Sequence, residues 1–391
     1  MEFAKDTVIT YRKKTLHILV YSLASGGAER VVSILLERLG GIYNVTLVLM
    51  SNDIFYPIPK NVNIIFLEQS SPFEFKLAKL FKLPILGWKY KKLLKQSSCD
   101  ISLSFMNRPN YINIFAKLFG SHAKAVISER IAPSREYPSN SFKDIVSRFL
   151  IRFLYPKANL IIPNAKGIEH DLVALFGICR SNIQTIHNPL SLTIWPKGKQ
   201  DNAMFTVVTV GRLQKQKNHT LLISAFAKLT SKKIQLIIIG EGELKSELKQ
   251  QIASLNLTSN IHLLGRKNNP QDYLAQADAF VFSSNYEGFP NVLLEALACS
   301  LPIISTDCKS GPREILAPST DFTKQVQDEI ERAEYGILTP TNNVEKMTEA
   351  IELLIEDKAL RQSYADKAQN RAKDFEADKI IEQYIEAIES V

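Results

Sequence analysis

Two short stretches of this chain set cations and carboxylates where a strand gives way to a helix. In Tyr286-Glu287-Gly288-Phe289-Pro290-Asn291-Val292-Leu293-Leu294-Glu295, an apolar run from Asp278 to Ser283 precedes the turn and Asn291 to Ser300 follows with helical spacing. Open α/β sheets bind ligands at such strand ends. The unpaired N–H groups of a helix start favour an anion, so the turn reads as a phosphate cradle. Glu287 and Glu295 flank it. Ionised carboxylates accept hydrogen bonds and donate none, which suits a ligand rich in hydroxyls, such as a sugar joined to a ribose. Two glutamates at this spacing also occur on solvated helices, so the reading rests on context.

Context comes from Gly211-Arg212-Leu213-Gln214-Lys215-Gln216-Lys217-Asn218, which follows the strand-like run Phe205 to Val210 and leads into an apolar helix. Arg212 offers a planar fork and Lys217 a point charge, a combination that suits a diphosphate. An exposed basic loop would have the same composition. A G-R-L-x-x-x-K-N loop followed about seventy residues later by E-G-F-x-N-x-x-x-E resembles the family 4 retaining glycosyltransferases of the GT-B fold. The resemblance implies an α/β architecture of two Rossmann-like parallel-sheet domains facing a central cleft, and a catalytic set of Arg212, Lys217 and Glu287. With no protein nucleophile, the barrier would fall because the two cations bind the departing diphosphate better as its charge grows. Glu287 would hold hydroxyls of the transferred sugar and Glu295 the ribose. Gly288, Phe289, Pro290, Asn291 and Val292 would shape the turn. Gly211, Asn218, Gly265 and Arg266 complete the implied donor site, with Gly26 and Gly27 as the first glycine loop.

At 391 residues the chain is long enough for two domains with separate cores. Strand-helix alternation runs through it twice. The first run has strands at Leu16–Leu23, Val45–Met50, Asn63–Leu67, Cys99–Phe105 and Ala125–Ser128, and is closed by Leu160–Asn164 and Ile183–Pro189. The second has them at Phe205–Val210, Ile234–Ile239, Ile261–Leu264, Asp278–Ser283 and Leu301–Thr306. Alternation of this kind means a parallel sheet with helices on both faces. The aperiodic stretch from Leu190 to Asn202 reads as a linker. It sets an N-terminal, acceptor- and membrane-facing domain at 1–192 and a nucleotide-sugar-binding domain at 193–375; by the resemblance, a helix at 376–391 crosses back onto the first. Residues 318–334 read as a polar helical insertion.

Composition is that of a globular protein, 45% hydrophobic and 23% charged. No apolar run approaches the roughly 18 residues needed to cross a bilayer, and Met1 to Lys14 lacks the apolar core of a signal peptide, so a cytosolic protein is expected. The four cysteines and six histidines show no metal-ligand spacing. A net charge of +8 calls for acidic partners. From Pro72 to Gln96, Lys76, Lys79, Lys82, Lys89, Lys91, Lys92 and Lys95 are interleaved with aromatic and aliphatic residues that include Phe81 and Trp88, with a break expected at Pro84. Ser141 to Lys157 repeats the theme. Such segments suit a membrane interface, although a pair of surface helices with an apolar core side would read the same way. Nucleic acid is not expected as a partner, since the aromatic pattern of an RNA-recognition sheet is missing. Strand ends elsewhere in the first half offer Asn107, Arg108, Glu129 and Arg130 as acceptor contacts. Many family members carry histidine where Arg130 stands, so Arg130 is assigned a charge contact only.

Four further stretches, Tyr21–Val32, Asn107–Ile112, Leu154–Leu160 and Gly240–Lys245, resemble the branch of the family that adds N-acetylgalactosamine in bacterial N-linked glycosylation. That resemblance implies UDP-GalNAc as donor, an undecaprenyl-diphosphate-linked glycan as acceptor and an α-1,4 linkage. It implies no metal or other cofactor, and a peripheral place on an anionic membrane surface at the cytoplasmic face of the inner membrane. Transferases of O-antigen or capsule that use another UDP-sugar would share these motifs. A non-catalytic UDP-sugar-binding membrane protein is the remaining alternative.

Overall fold

The computed structural model describes residues 12–68, 80–191, 204–231 and 233–391. Lys76, Lys79 and most of the expected linker lie outside the described residues. Strands β1 (Thr15–Val20), β2 (Asn44–Leu49), β3 (Asn63–Phe66), β4 (Ile101–Phe105), β5 (Lys124–Glu129) and β6 (Leu160–Pro163) form one sheet in the order β3-β2-β1-β4-β5-β6. A second sheet contains β7 (Phe205–Val210), β8 (Ile234–Ile239), β9 (Ile261–Gly265), β10 (Ala279–Phe282), β11 (Ile303–Thr306), β12 (Glu331–Arg332) and β13 (Ile337–Thr339), in the order β12-β13-β11-β10-β7-β8-β9. Only the short β12 is antiparallel there.

Both sheets share one winding logic. From its first strand the chain builds outward one way, returns, and builds the other way, which opens a crevice beside that first strand. The switch points lie between β1 and β4 and between β7 and β10. At the carboxyl ends of β1 and β4 sit Gly26-Gly27 and Asn107-Arg108. At those of β7 and β10 sit the Gly211 loop and the Glu287 turn.

The helices are α1 (Gly27–Leu39), α2 (Leu83–Gln96), α3 (Asn107–Leu118), α4 (Pro133–Glu136), α5 (Phe142–Leu154), α6 (Lys166–Phe176), α7 (His219–Lys228), α8 (Lys245–Ser254), α9 (Pro270–Gln276), α10 (Asn291–Ala298), α11 (Pro312–Leu316), α12 (Val344–Glu356), α13 (Lys358–Lys373) and α14 (Ala377–Glu389). Because helices cover both faces of a parallel sheet, its strands read as continuous apolar runs. Val207, Leu236, Ile238, Val281 and Ile304 accordingly pack with Leu222 and Phe226 of α7, Leu248 and Ile252 of α8, and Ile351 and Leu354 of α12.

The chain divides into two compact units. One is Met1–Ser128, Phe153–Ile161 and Ile385–Val391; the other is Glu129–Arg152 and Ile162–Tyr384. The division passes through the ends of β5 and β6. In the first unit Glu389 accepts hydrogen bonds from Lys14 and from the Tyr43 hydroxyl.

Two local expectations are corrected. Residues 318–334 form turns and β12 rather than a helix. Pro318 does not extend α11, Asp321 accepts the Thr323 N–H at 3.0 Å, and Arg313 pins the segment by donating to Asp307, Thr320 and Glu331. Pro84 does not break a helix; it occupies the first turn of α2, where a missing N–H costs nothing.

Two buried imidazoles make the fold acid-sensitive. Burial lowers both His17 in β1 and His219 at the start of α7 from 6.5 to about 4, with Lys217 adding to the effect at His219. Between those values the unfolded chain binds the protons and the folded chain does not, so stability is full above pH 6.5 and falls as pH drops toward 4. Each site accounts for about 3 kcal/mol across that window. His219→Gln is expected to remove about one proton from the pH dependence of unfolding between pH 6.5 and 5, measured by urea titration at a series of pH values.

Candidate active site

Lys217 and Glu287 meet because β7 and β10 are paired neighbours. Nζ of Lys217 donates to Oε1 of Glu287 at 2.6 Å, with the side chains 16% and 9% exposed. The same ammonium lies 4.9 Å from the Phe282 ring centroid. Four further bonds stitch the two loops together. Ser283 Oγ donates to the Lys217 carbonyl at 2.8 Å and Gln216 Nε2 to the Tyr286 carbonyl at 2.9 Å. The Asn285 N–H reaches the Gln216 carbonyl at 2.8 Å, and its Nδ2 reaches the Lys215 carbonyl at 3.0 Å. An ammonium has three N–H donors. One is committed to Glu287, which leaves donors for phosphate oxygens, while Glu287 keeps lone pairs for hydroxyls.

Arg212 is exposed on the same loop. Burial raises the pKa of the neighbouring Tyr286 phenol, Glu287 and Glu136 add to the rise, and Arg212 opposes it. Backbone closeness demands glycine at positions 240 and 288. A Cβ on Gly240 would stand 1.9 Å from the Gly211 carbonyl oxygen, and one on Gly288 would stand 1.8 Å from that of Arg130. The loop at Gly240 therefore seats the Gly211 loop, and the Glu287 turn rests on the chain at Arg130.

Beneath the turn lies a set of residues that no sequence motif marks. Asn188 Nδ2 donates to the Phe289 carbonyl at 2.8 Å and to Asn291 Oδ1, while its own Oδ1 accepts from Arg130 and Asn164. His187 stacks on Phe289 at 4.4 Å and 15°. Its Nε2 is 3.3 Å from Glu314 Oε2, and Glu314 accepts the first N–H groups of α6, from Lys166 at 2.7 Å and Gly167 at 3.0 Å. A carboxylate is favoured at that helix start. No local signal in the sequence links these residues, because Asn188 and Phe289 are 101 positions apart.

The remaining expected residues fall into several groups. Phe289 shapes the turn from below, buried between His187 and Phe375. Pro290 caps α10, Asn291 begins it, and Val292 and Glu295 lie half-buried within its first turns. Asn218 caps α7, accepting the Leu221 N–H, and donates to Asn285 and Asn342, so its amide holds structure. Gly265 takes a φ of +71° before the exposed Arg266. In the first unit Gly26 caps α1 and Gly27 begins it. Asn107 accepts from the Tyr155 hydroxyl at 2.8 Å, beside a buried cluster of Ser104, Asn110 and Asn113. Arg108 donates to Glu68 at 2.9 Å. Glu129 and Arg130 are buried in the second unit, where the Glu129 carboxylate accepts the Arg130 N–H and the guanidinium serves Asn188 and Tyr384. Met106, at the end of β4, has a φ of +71°, a strained backbone of the kind that gathers at binding sites.

On α2, Ile85 and Trp88 are exposed at 58% and 49%. Lys92 Nζ sits 3.5 Å over the Trp88 ring. Lys89 and Lys95 are exposed beside them, while Lys82 and Lys91 are half-exposed. Among the described residues no three metal-ligating side chains converge, and no helix is long and apolar enough to cross a membrane.

Residues 25–193 match Glycosyltransferase Family 4, and residues 194–371 match Glycosyl transferases group 1. Over 93% of this chain and 96% of the relative, the sequence is 44% identical to the N-acetylgalactosamine-N,N'-diacetylbacillosaminyl-diphospho-undecaprenol 4-alpha-N-acetylgalactosaminyltransferase of Campylobacter jejuni. The chain belongs to family 4 of the glycosyltransferases. This family 4 transferase is also 33% identical to an uncharacterized glycosyltransferase of Methanocaldococcus jannaschii, over 78% of the chain and 82% of the relative. Its GT-B fold is shared with Anabaena HepE in complex with UDP and glucose (TM-score 0.78, 20% identity, 97% and 100% covered). Sucrose-phosphate synthase of Thermosynechococcus elongatus shares it too (TM-score 0.80, 16% identity, 96% and 98% covered).

Removing one partner of a buried ion pair strands the other charge and costs about 3–5 kcal/mol. Lys217→Met and Glu287→Gln are each expected to abolish sugar transfer and lower the melting temperature. The double variant should stay inactive yet melt above both single ones, as calorimetry with a transfer assay would read.

Proposed function

We propose that this transferase moves N-acetylgalactosamine from UDP-GalNAc, with retention, onto a glycan carried by undecaprenyl diphosphate, through an α-1,4 linkage in bacterial protein N-glycosylation. The observation that carries the reading is the 44% identity, across 93% of the chain, with the Campylobacter jejuni enzyme whose name gives a 4-alpha-N-acetylgalactosaminyl transfer to a diphospho-undecaprenol-linked acceptor. A second Campylobacter jejuni α-1,4-N-acetylgalactosaminyltransferase of an undecaprenol-linked glycan is 25% identical over 96% of the chain.

In this reading Arg212 and Lys217 stabilise the diphosphate as it leaves, and the charge they supply makes the transfer independent of a divalent metal. Glu287, steadied by Lys217, holds hydroxyls of the transferred sugar, and Glu295 holds the ribose. Asn188 and His187 keep the turn at its height. Arg108 is the acceptor contact of the first unit. Exposed Trp88 with its neighbouring lysines supports a peripheral place on an anionic membrane at the cytoplasmic face, where the lipid-linked acceptor resides.

The test is incubation with radiolabelled UDP-GalNAc and a short-chain polyprenyl-diphosphate disaccharide ending in GalNAc, with UDP-GlcNAc, UDP-Gal and UDP-Glc in parallel. Transfer is expected from UDP-GalNAc alone and unchanged by EDTA. Transfer from another donor would move the enzyme to an O-antigen or capsule pathway, and UDP binding without transfer would make it a non-catalytic binder. Changing Lys82, Lys89, Lys92 and Lys95 to Gln is expected to weaken co-sedimentation with phosphatidylglycerol vesicles at least tenfold, with little change on phosphatidylcholine.

A further inference from the structure

We infer that α5 (Phe142–Leu154) is a membrane-inserting helix that places Phe142, Phe149 and Phe153 in an anionic bilayer. Its most exposed stripe is aromatic and apolar, opposite an inward face of mixed polarity. Asp144, Ser147, Ile151 and Leu154 are buried, whereas Phe142, Ile145, Phe149 and Phe153 are 70%, 49%, 63% and 56% exposed. At 3.6 residues per turn these four outward residues fall within an arc of roughly 80°.

Hydrogen bonds lock that orientation. Asp144 accepts from the Ser139 N–H at 2.9 Å and the Ser139 hydroxyl at 2.6 Å. Arg148 donates to the carbonyls of Tyr137 and Ser139, and Arg152 donates to that of Leu175 at 2.8 Å. Rolling the helix to hide its rings would break all of these bonds.

The occupant follows from charge. Lys143 lies on one side of the apolar stripe and Arg152 on the other, and the exposed Lys157 follows just beyond the helix. Cations bracketing an apolar stripe are the arrangement of a helix lying in a bilayer interface. The chain's net charge of +8 adds attraction to anionic lipid. The inference rests on the reading of an anionic membrane as partner, and adds a second, apolar contact to the lysine-rich one of α2.

Co-sedimentation with vesicles of phosphatidylcholine containing phosphatidylglycerol tests it, using the full chain and the triple variant Phe142→Ser, Phe149→Ser, Phe153→Ser. The side chains are exposed, so the melting temperature and transfer to a short-chain soluble acceptor should be unchanged. Vesicle affinity is expected to fall at least tenfold. Binding equal to that of the unaltered protein would overturn the assignment of α5; if the α2 lysine variant still lost binding, the membrane reading itself would survive. Failure of the unaltered protein to bind any vesicle would overturn both. Conversion of a dimer to a monomer by the triple variant, with vesicle binding intact, would show that a second copy covers this face and would also overturn the inference.

Discussion

An ammonium and a carboxylate 2.6 Å apart, both largely removed from water, are the contact on which the candidate site depends. Taking two charges out of water is unfavourable unless geometry is good and neighbouring polar groups are satisfied. That requirement explains the surroundings of Lys217 and Glu287. Two loops from separate strands are tied carbonyl by carbonyl through Ser283, Asn285 and Gln216, so neither charge can drift from the other. A diphosphate arriving here would meet donors already oriented, which is how electrostatic stabilisation avoids reorganisation during the reaction.

Sheet winding puts that pair where a ligand can reach it. β7 and β10 are adjacent although about seventy residues separate them, and their ends flank the crevice that a reversal of strand order opens. Close backbone approach does the fine adjustment. Gly288 lies so near the Arg130 carbonyl that any side chain would lift the turn and with it Glu287. Asn188 fastens the same turn from beneath, and the stack of Phe289 on His187 is anchored through Glu314 to the start of α6.

The two basic helices follow a different rule. In α2 and α5 the inward faces close the fold, and large apolar side chains face outward among cations. For α5 the inward face sets Asp144 and Ser147 beside Ile151 and Leu154, and Asp144 is supplied with partners by Ser139. Exposed apolar stripes of this kind mark an interaction surface.

The sequence by itself determined most of the strands and helices and the placing of the glycine turns, and it set Arg212, Lys217, Glu287 and Glu295 on two motifs as candidates, because strand runs, helical spacing and loop motifs are local. It also carried enough similarity to indicate the fold. Only the tertiary structure decided the rest. Asn218 and Asn107 turned out to hold neighbouring structure, and residues 318–334 were pinned as turns by Arg313 rather than coiled into a helix. Asn188, His187 and Glu314 stayed silent in the sequence because their partners lie far along the chain. The amphipathic pattern of α5 was plain, but periodicity states only that a helix has two faces. Which one turns inward depends on what the neighbouring chain offers, and here it offered hydrogen bonds to Asp144 and burial to Ile151 and Leu154.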